Sequence, residues 1–300
     1  MFMTMDQLIN VLVTVMLVEM MVAIGLRVSV SDLVGTVTNW RLMLQAVLAN
    51  YVCVPAAAVA LLLLFGAEPM IAAGFLILAI CPGAPFGPSC TSLARGNVPV
   101  AVGLMAVLAA SSAVAAPLLL YLLLPLMAGN DSLQLDAVKI VRVLAITQLL
   151  PLFVGLCIRH WRPGLAEKLQ KPADRLSALL GLLTISVILF VHLRLLLEIR
   201  FLAYVGMGTL LVASWVAGWL LGGPGSDNRK AMTLTTALRN VGVGLVIATS
   251  NFSGTTAVTA CLAYGLFEIA GTLLLAFWWG RRASAWSTKT RFGIVAGIRS

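Results

Sequence analysis

Long apolar runs follow one another along almost the whole chain, and each is long enough to form a helix that crosses a membrane. Such a helix needs about 20 predominantly apolar residues. Short segments rich in Gly, Pro, Asn and Asp separate the runs, which is typical of turns. The pattern predicts an all-α polytopic membrane protein with about nine transmembrane helices. The runs cover approximately residues 8–26, 42–64, 70–93, 99–127, 140–158, 177–196, 202–221, 230–250 and 256–279.

Composition favours one membrane domain over residues 1–300. Hydrophobic residues make up 61% of the chain and charged residues 10%, with a mean hydropathy of +1.03, whereas soluble domains are about 45–50% apolar. No polar linker separates two folding units, and residues 281–300 form a basic tail. The net charge of +9 is dispersed between the runs instead of forming one stripe, which argues against nucleic-acid binding.

The basic residues between the runs predict the orientation of the chain, because Lys and Arg favour the cytoplasmic side. Fifteen lie after runs 1, 3, 5 and 7 or in the tail, and four lie in the other segments: Lys139, Arg142, Arg194 and Arg200. This bias predicts an external N-terminus and a cytoplasmic tail in the cell inner (plasma) membrane. The first run has no positive charge ahead of it and no small-residue cleavage site, so we predict a retained helix.

The third run is interrupted by C-P-G-A-P-F-G-P-S-C at residues 81–90. Its three prolines remove helix hydrogen bonds. Free backbone groups at membrane depth are tolerated only where protein surrounds them or where they line a cavity. We therefore predict non-helical or distorted backbone at residues 85–88. A proline kink that only shapes the packing is the alternative.

The eighth run is interrupted by T-L-T-T-A-L-R-N-V-G-V-G at residues 233–244, and Arg239 lies in its middle. An arginine near the bilayer centre costs about 3 kcal/mol and normally faces a partner or water. Snorkelling to the membrane surface is the alternative. We predict distorted backbone at residues 239–244. Two carboxylates inside other runs, Glu19 and Glu268, are candidate partners of Arg239, either in a structural ion pair or in transport.

The two interrupted runs are five apart in order, so they cross the membrane in opposite directions. Interrupted helices at corresponding positions of two inverted halves are typical of secondary transporters that bind substrate near the membrane midplane. The sequence therefore predicts an inverted-repeat transporter fold whose two interrupted helices approach each other at mid-membrane. One of the two halves is a helix short.

These segments resemble those of the bile acid:sodium symporter family, and the resemblance covers nearly the whole chain apart from a missing first helix. Residues 81–98 are similar to the family's C-P-G-G-T-A-S-N-V-x-T-Y-L-A-R-G-N-V, residues 235–242 to E-V-G-M-Q-N-S-G, and residues 49–56 to A-Q-F-A-I-M-P-A. The resemblance implies a bacterial member in a nine-helix form. It also implies interleaved panel and core subdomains, with the core helices crossing at the two interruptions.

The departures from this family fall on the cation ligands that the resemblance implies. At six positions where the family supplies carboxylate, amide or hydroxyl oxygens, this chain offers two polar side chains, and one of these is itself a cation. Asn50 and Asn240 keep amide character. We therefore predict transport that is independent of sodium. The six positions are Gly87, Pro88, Ala101, Met105, Thr235 and Arg239.

The predicted function is secondary transport of a small or amphipathic organic anion. Arg239 would supply the positive charge that sodium supplies elsewhere, and coupling would pass to protons through Glu268 or Glu19 or would vanish. The alternative function is that of a channel or membrane sensor that keeps the fold without an alternating-access cycle. No H-E-x-x-H or G-x-S-x-G signature occurs and the five cysteines lack metal-site spacing, so we expect no enzyme, cofactor or metal. The candidate substrate-binding residues are Asn50, Pro85, Phe86, Gly87, Pro88, Ser89, Thr235, Thr236, Arg239, Asn240, Glu19 and Glu268.

Overall fold

The computed structural model describes residues 4–128, 137–197, 199 and 201–296, and these residues are almost entirely helical. Within them, seven helical stretches are long and apolar enough to cross a membrane. The prediction of an all-α polytopic membrane protein is confirmed, whereas the count of about nine crossings and the inverted repeat stay predictions. The seven stretches are Gln7–Arg27, Trp40–Leu64, Val98–Met127, Val138–Trp161, Pro163–Arg194, Phe201–Leu220 and Thr256–Arg282.

Fifteen α-helices and two π-helical turns make up the described chain. The π-helical turns are Ala49–Cys53, between α3 and α4, and Ala145–Leu149, between α9 and α10. The α-helices are α1 (Met5–Arg27), α2 (Val30–Thr38), α3 (Trp40–Leu48), α4 (Val54–Leu64), α5 (Pro69–Ala79), α6 (Gly87–Leu93), α7 (Val98–Leu123), α8 (Pro125–Ala128), α9 (Ala137–Leu144), α10 (Leu150–Trp161), α11 (Pro163–Leu197), α12 (Phe201–Leu220), α13 (Ser226–Ala237), α14 (Val241–Asn251) and α15 (Thr256–Ala296).

Polar side chains fix where several of these helices begin. Thr4 and Gln7 form a capping box at the start of α1, since each side chain bonds the backbone N–H of the other. Asn97 accepts a hydrogen bond from the N–H of Val100 at the start of α7. Because the first N–H groups of a helix have no intrahelical partner, these short polar residues end the loops and start the apolar helices.

Helices α1, α10 and α11 pack together as one unit. Gly25 and Gly155 let the backbones of α1 and α10 touch, because the Cα of Gly155 lies 2.8 Å from where a Cβ on Gly25 would be placed. The guanidinium of Arg27 pairs with Asp174 of α11 at 2.6 Å. Small residues at such contacts are the usual basis of close helix packing in membranes. The division into panel and core subdomains stays a prediction.

Helices α5, α14 and α15 form a second packed group. Gly74 of α5 leaves room for the backbone of Ala257 at the start of α15. The rings of Phe75 and Tyr264 lie 5.4 Å apart between the same two helices. Most of α5 and α14 is buried, so these two short helices lie inside the protein and do not face lipid.

Three features of the fold differ from the sequence prediction or go beyond it. Helix α2 was not predicted because its nine residues are too few to cross a membrane, and the two π-helical turns were not predicted because one extra residue in a turn leaves no signal in the apolar pattern. The tail that the sequence analysis separates at residue 281 continues α15 as helix to Ala296. No break in the α-helix therefore marks the beginning of that tail.

Candidate functional site

The two interrupted runs meet backbone to backbone at a point that we call the crossing. Residues 80–86 leave the helix between α5 and α6, and residues 238–240 leave it between α13 and α14. Pro82 and Arg239 form an antiparallel β-bridge, and the N–H of Asn240 donates to the carbonyl oxygen of Cys81 at 2.7 Å. The backbone groups that each break frees are therefore partly satisfied by the other break, which is what a buried interruption requires.

The predicted limits of the two breaks were partly wrong. The first break ends at Phe86, so Gly87 and Pro88 already belong to α6, and the second ends at Asn240, so residues 241–244 belong to α14. Pro88 stands at the start of a helix, where its missing N–H costs nothing. Gly244 serves packing, since a Cβ there would lie 3.1 Å from the sulfur of Cys261.

Gly83 allows the break between α5 and α6 to pack against α7. Its φ of +91° is in the region that side chains rarely adopt. A Cβ at this position would also overlap the backbone of Ala109, whose Cα would be 2.6 Å away. Residue 83 must therefore be glycine both for its own conformation and for the contact with α7.

Arg239 is the largest polar side chain at the crossing, and only 1% of its surface is exposed. Its Nη1 donates to the carbonyl oxygen of Asn50 at 3.4 Å, and its backbone N–H donates to Oε1 of Glu268 at 2.7 Å. Its Nε and Nη2 have no protein partner, nor does Oε2 of Glu268. Among the described residues, no ion pair within 4.0 Å includes this guanidinium. This burial excludes the alternative that Arg239 snorkels to the membrane surface. Three of the five N–H donors of its guanidinium, those on Nε and Nη2, have no protein partner.

Asn50 and two threonines complete the polar cluster. The Nδ2 of Asn50, on the first π-helical turn, donates to Oγ1 of Thr236 at 3.2 Å, and its Oδ1 has no protein partner. Thr235 donates to the carbonyl oxygen of Ala231 in its own helix at 2.8 Å. A Cβ on Gly87 would lie 3.0 Å from the methyl group of Thr235. We call Asn50, Thr235, Thr236, Arg239, Asn240 and Glu268 the crossing cluster.

The remaining candidate residues lie outside this cluster. Glu19 of α1 accepts a hydrogen bond from the hydroxyl of Ser177 on α11. Phe86 is 54% exposed, and Ser89 is exposed as well, whereas Pro85 is half-buried and Pro88 is buried. A cavity of about 260 Å³ lies apart from the crossing, between the end of α4, the start of α5 and α12, and its lining is mainly apolar.

Sequence reasoning missed Gln148. This buried side chain lies on the second π-helical turn and donates to the carbonyl oxygen of Ala109 and, at 2.9 Å, to the hydroxyl of Ser112. Ala109 is also the residue against which Gly83 packs. A lone glutamine in the middle of the apolar run at 140–158 was the available signal. π-helical turns inside α-helices are frequent at functional positions.

Asn240 holds the start of α14 against the crossing. Its Oδ1 accepts from the N–H of Val243 at 3.2 Å and its Nδ2 donates to the carbonyl oxygen of Gly83 at 3.3 Å. We expect Asn240→Ala to lower the free energy of unfolding by about 2 kcal/mol, from a lost cap and a lost buried hydrogen bond, and to abolish transport. Thermal unfolding of the purified protein and uptake by proteoliposomes measure the two effects.

Asn97→Ala is the matched control for Asn240→Ala. Asn97 also caps a helix, since it accepts from the N–H of Val100 at 3.3 Å, but it lies outside the crossing cluster. We expect a similar loss of stability with transport retained below the unfolding temperature. Equal loss of transport in the two variants would reduce the role of Asn240 to stability alone.

Two broken helices that meet at a buried arginine, inside a nearly all-helical membrane protein, are typical of secondary transporters built on interrupted helices. The chain belongs to the sodium bile acid symporter family, whose family model matches residues 14–198, more than half of the chain. The resemblance to this family inferred from the sequence is thereby confirmed, and the matched residues include 81–98.

Two relatives are similar over most of this chain. The "uncharacterized sodium-dependent transporter YocS" of Bacillus subtilis is 25% identical over 280 residues, which cover 89% of this chain and 82% of that protein. The "probable sodium/metabolite cotransporter BASS1, chloroplastic" of Arabidopsis thaliana is 22% identical over 266 residues, which cover 86% of this chain and 64% of that protein. Both relatives bear the names of transporters and not of enzymes.

Proposed function

We propose that this protein is a secondary transporter of a small or amphipathic organic anion and that its transport does not depend on sodium. The single observation that carries the proposal is Arg239, a buried cation at the crossing whose Nε and Nη2 have no protein partner. A guanidinium offers N–H donors in a planar fork that matches carboxylate geometry. A substrate carboxylate or sulfonate would use these free donors.

The side chains at the six implied cation-ligand positions support loss of sodium coupling. Ala101 and Met105 are buried and offer no hard oxygen ligand. Gly87 and Pro88 also lack a side-chain oxygen, which leaves the hydroxyl of Thr235 as the side-chain oxygen among these six positions. Hard cations need several oxygen ligands, and a fixed guanidinium repels sodium by about 4 kcal/mol at 4 Å with an effective dielectric constant of about 20. The two relatives are named for sodium, and the proposal departs from those names in this respect.

Uptake into proteoliposomes tests the proposal. The probes are labelled benzoate, decanoate and cholate, together with benzenesulfonate and decanesulfonate, which remain charged and so do not cross lipid as neutral acids. We expect saturable uptake of at least one probe, stimulated by the same probe inside the vesicle and unchanged when choline replaces sodium. Protein-free liposomes are the control.

Three results would contradict this function. Uptake that saturates with sodium and is insensitive to replacement of Arg239 would show that the cation site is intact. Flux that neither saturates nor responds to substrate on the opposite side would indicate a channel. Absence of protein-dependent uptake for every probe would refute transport of this class of anion.

A further inference from the structure

We propose that Glu268 is the proton-coupling residue of this transporter, and that one proton on its carboxyl group accompanies each monovalent anion bound at Arg239. The inference rests on the proposed anion transport and names the coupling ion, which takes the place of sodium. Its observations are the geometry of Glu268, the balance of charge at the crossing and the polar face of α15.

Glu268 is placed to respond to what Arg239 binds. It is fully buried, and its Oε1 accepts the backbone N–H of Arg239 at 2.7 Å. This bond fixes the carboxyl group next to the break from which the guanidinium projects. Its Oε2 has no protein partner and is therefore free to take a proton. One oxygen is thus used for positioning and the other is available for protonation.

As long as Glu268 is ionised, the charges at the crossing balance only in the empty transporter. Arg239 carries one positive charge under all ordinary conditions, and an ionised Glu268 carries one negative charge, so their sum is zero. An anion that enters this buried region adds a negative charge without a partner, which a low-dielectric interior strongly disfavours. A proton on Oε2 of Glu268 returns the sum to zero. Substrate and proton are therefore expected to bind together.

The other titratable groups near Glu268 do not replace it in this role. On its own helix these are Tyr264 and Cys261, and from the break between α5 and α6 it is Cys81. Phenol and thiol groups are neutral at physiological pH unless a neighbour strongly favours their ionised form. His192 of α11 bonds Thr259, nine residues earlier on α15, which is about 13 Å along the helix.

The remaining elements packed on α15 add few titratable groups. Helix α5 carries no titratable side chain. Leu211 and Trp215 of α12 and Val241 of α14 contact glycine positions of α15. Leu234 of α13 and Cys90 of α6 lie in the apolar cluster that includes Ala276 of α15. Arg239 is therefore the charged group that faces Glu268 among the described residues.

A row of polar side chains leads along α15 to this carboxyl group. Tyr264, Glu268 and Thr272 are all fully buried and follow one another at four-residue spacing, which places them on one helix face. Trp215 of α12 packs beside Gly271 on the same helix. A hydroxyl group both donates and accepts hydrogen bonds and can pass a proton on, whereas an indole N–H only donates and can hold a buried water. This face is the proposed proton route.

The coupled step conserves atoms and charge. A proton from water binds Oε2 of the Glu268 carboxylate while the anion binds the guanidinium of Arg239 on the same side of the membrane. After the conformational change, the anion and the proton leave to the other side, and the carboxylate is restored. No net charge crosses the membrane, so the cycle is electroneutral symport.

Transport by proteoliposomes tests this coupling with the sulfonate probes. We expect a pH gradient, acid on the anion side, to drive accumulation of about tenfold per pH unit, and a potassium–valinomycin potential to leave the rate unchanged. Glu268→Gln is expected to lose pH-driven accumulation, and the exchange of internal for external anion that it retains is expected to be independent of the pH gradient. Glu268→Asp is expected to keep part of the pH-driven accumulation. The control Glu68→Gln, at an exposed loop carboxylate, is expected to keep all of it.

Infrared difference spectra provide a second readout that does not require transport. Across the physiological pH range, a protonated-carboxyl band should appear in the wild type and be absent from Glu268→Gln. A Glu268 that keeps one protonation state throughout would overturn the inference. So would anion uptake that ignores the pH gradient, although this result leaves the proposed anion transport intact. Loss of coupling in Glu19→Gln but not in Glu268→Gln would show that Glu19, and not Glu268, carries the coupled proton.

Discussion

Arg239→Gln is expected to weaken binding of the transported anion by about a thousandfold and to leave transport without sodium dependence. The magnitude follows from the charge, because two unit charges 4 Å apart in an effective dielectric of about 20 attract by about 4 kcal/mol. Sodium dependence does not return, because the other implied ligand positions still carry Gly87, Pro88, Ala101 and Met105. Equilibrium binding of the labelled probe to purified protein measures the loss.

Two further variants separate the charge of Arg239 from its effect on folding. Arg239→Gln alone leaves Glu268 buried without a compensating charge, which is destabilising in itself. The double variant Arg239→Gln/Glu268→Gln removes both charges and is expected to fold while still failing to bind the anion. Arg41→Gln, at an exposed arginine that stacks on Trp40 with 5.5 Å to the ring centre, is the control and keeps full binding. Binding retained by the double variant would remove Arg239 from the substrate site.

Gly83→Ala is expected to lower the free energy of unfolding by more than about 3 kcal/mol and to abolish transport. A side chain at φ +91° costs about 1–3 kcal/mol, and overpacking adds about 1–3 kcal/mol where the added methyl group meets the backbone of Ala109. Backbone atoms move less easily than side chains, so relaxation is limited. Thermal unfolding in detergent, followed by size-exclusion chromatography, measures the change.

Gly181→Ala is the control for this prediction. Gly181 lies within α11, and no atom lies within 4 Å of the position that a Cβ would take. The same chemical change there removes a poor helix former, so we expect stability to rise by up to about 1 kcal/mol. If both variants behaved alike, the close contact between Gly83 and α7 would not constrain the fold.

The sequence predicted the two breaks because proline and arginine destabilise an apolar helix inside a membrane. It did not predict their limits. The first break begins at Ile80, before the prolines at 85 and 88, because Gly83 must fit against α7. It ends before Gly87, because Pro88 can stand in the first turn of a helix. These reasons depend on the neighbouring helix and on the helix register, neither of which appears in a run of sequence letters.

The crossing cluster was likewise predictable in part. Thr235, Thr236, Arg239, Asn240 and Glu268 were identified because they interrupt apolar runs, and Asn50 was identified through the family resemblance of residues 49–56. Glu19 has the same property, yet it lies beside Ser177. Polarity in an apolar run therefore shows that a residue needs a partner, whereas the packing of the helices decides which partner it finds.

The contact between Gly25 and Gly155 also limits how this protein can recover from mutation. A Cβ on either residue meets backbone atoms of the other helix, among them the Cα of Gly155 or of Gly25 at 2.8 Å. A smaller side chain elsewhere cannot relieve a collision with backbone. Second-site suppressors of a substitution at either glycine are therefore expected to act by displacing α1 or α10 as a whole, and not by trimming a neighbouring side chain.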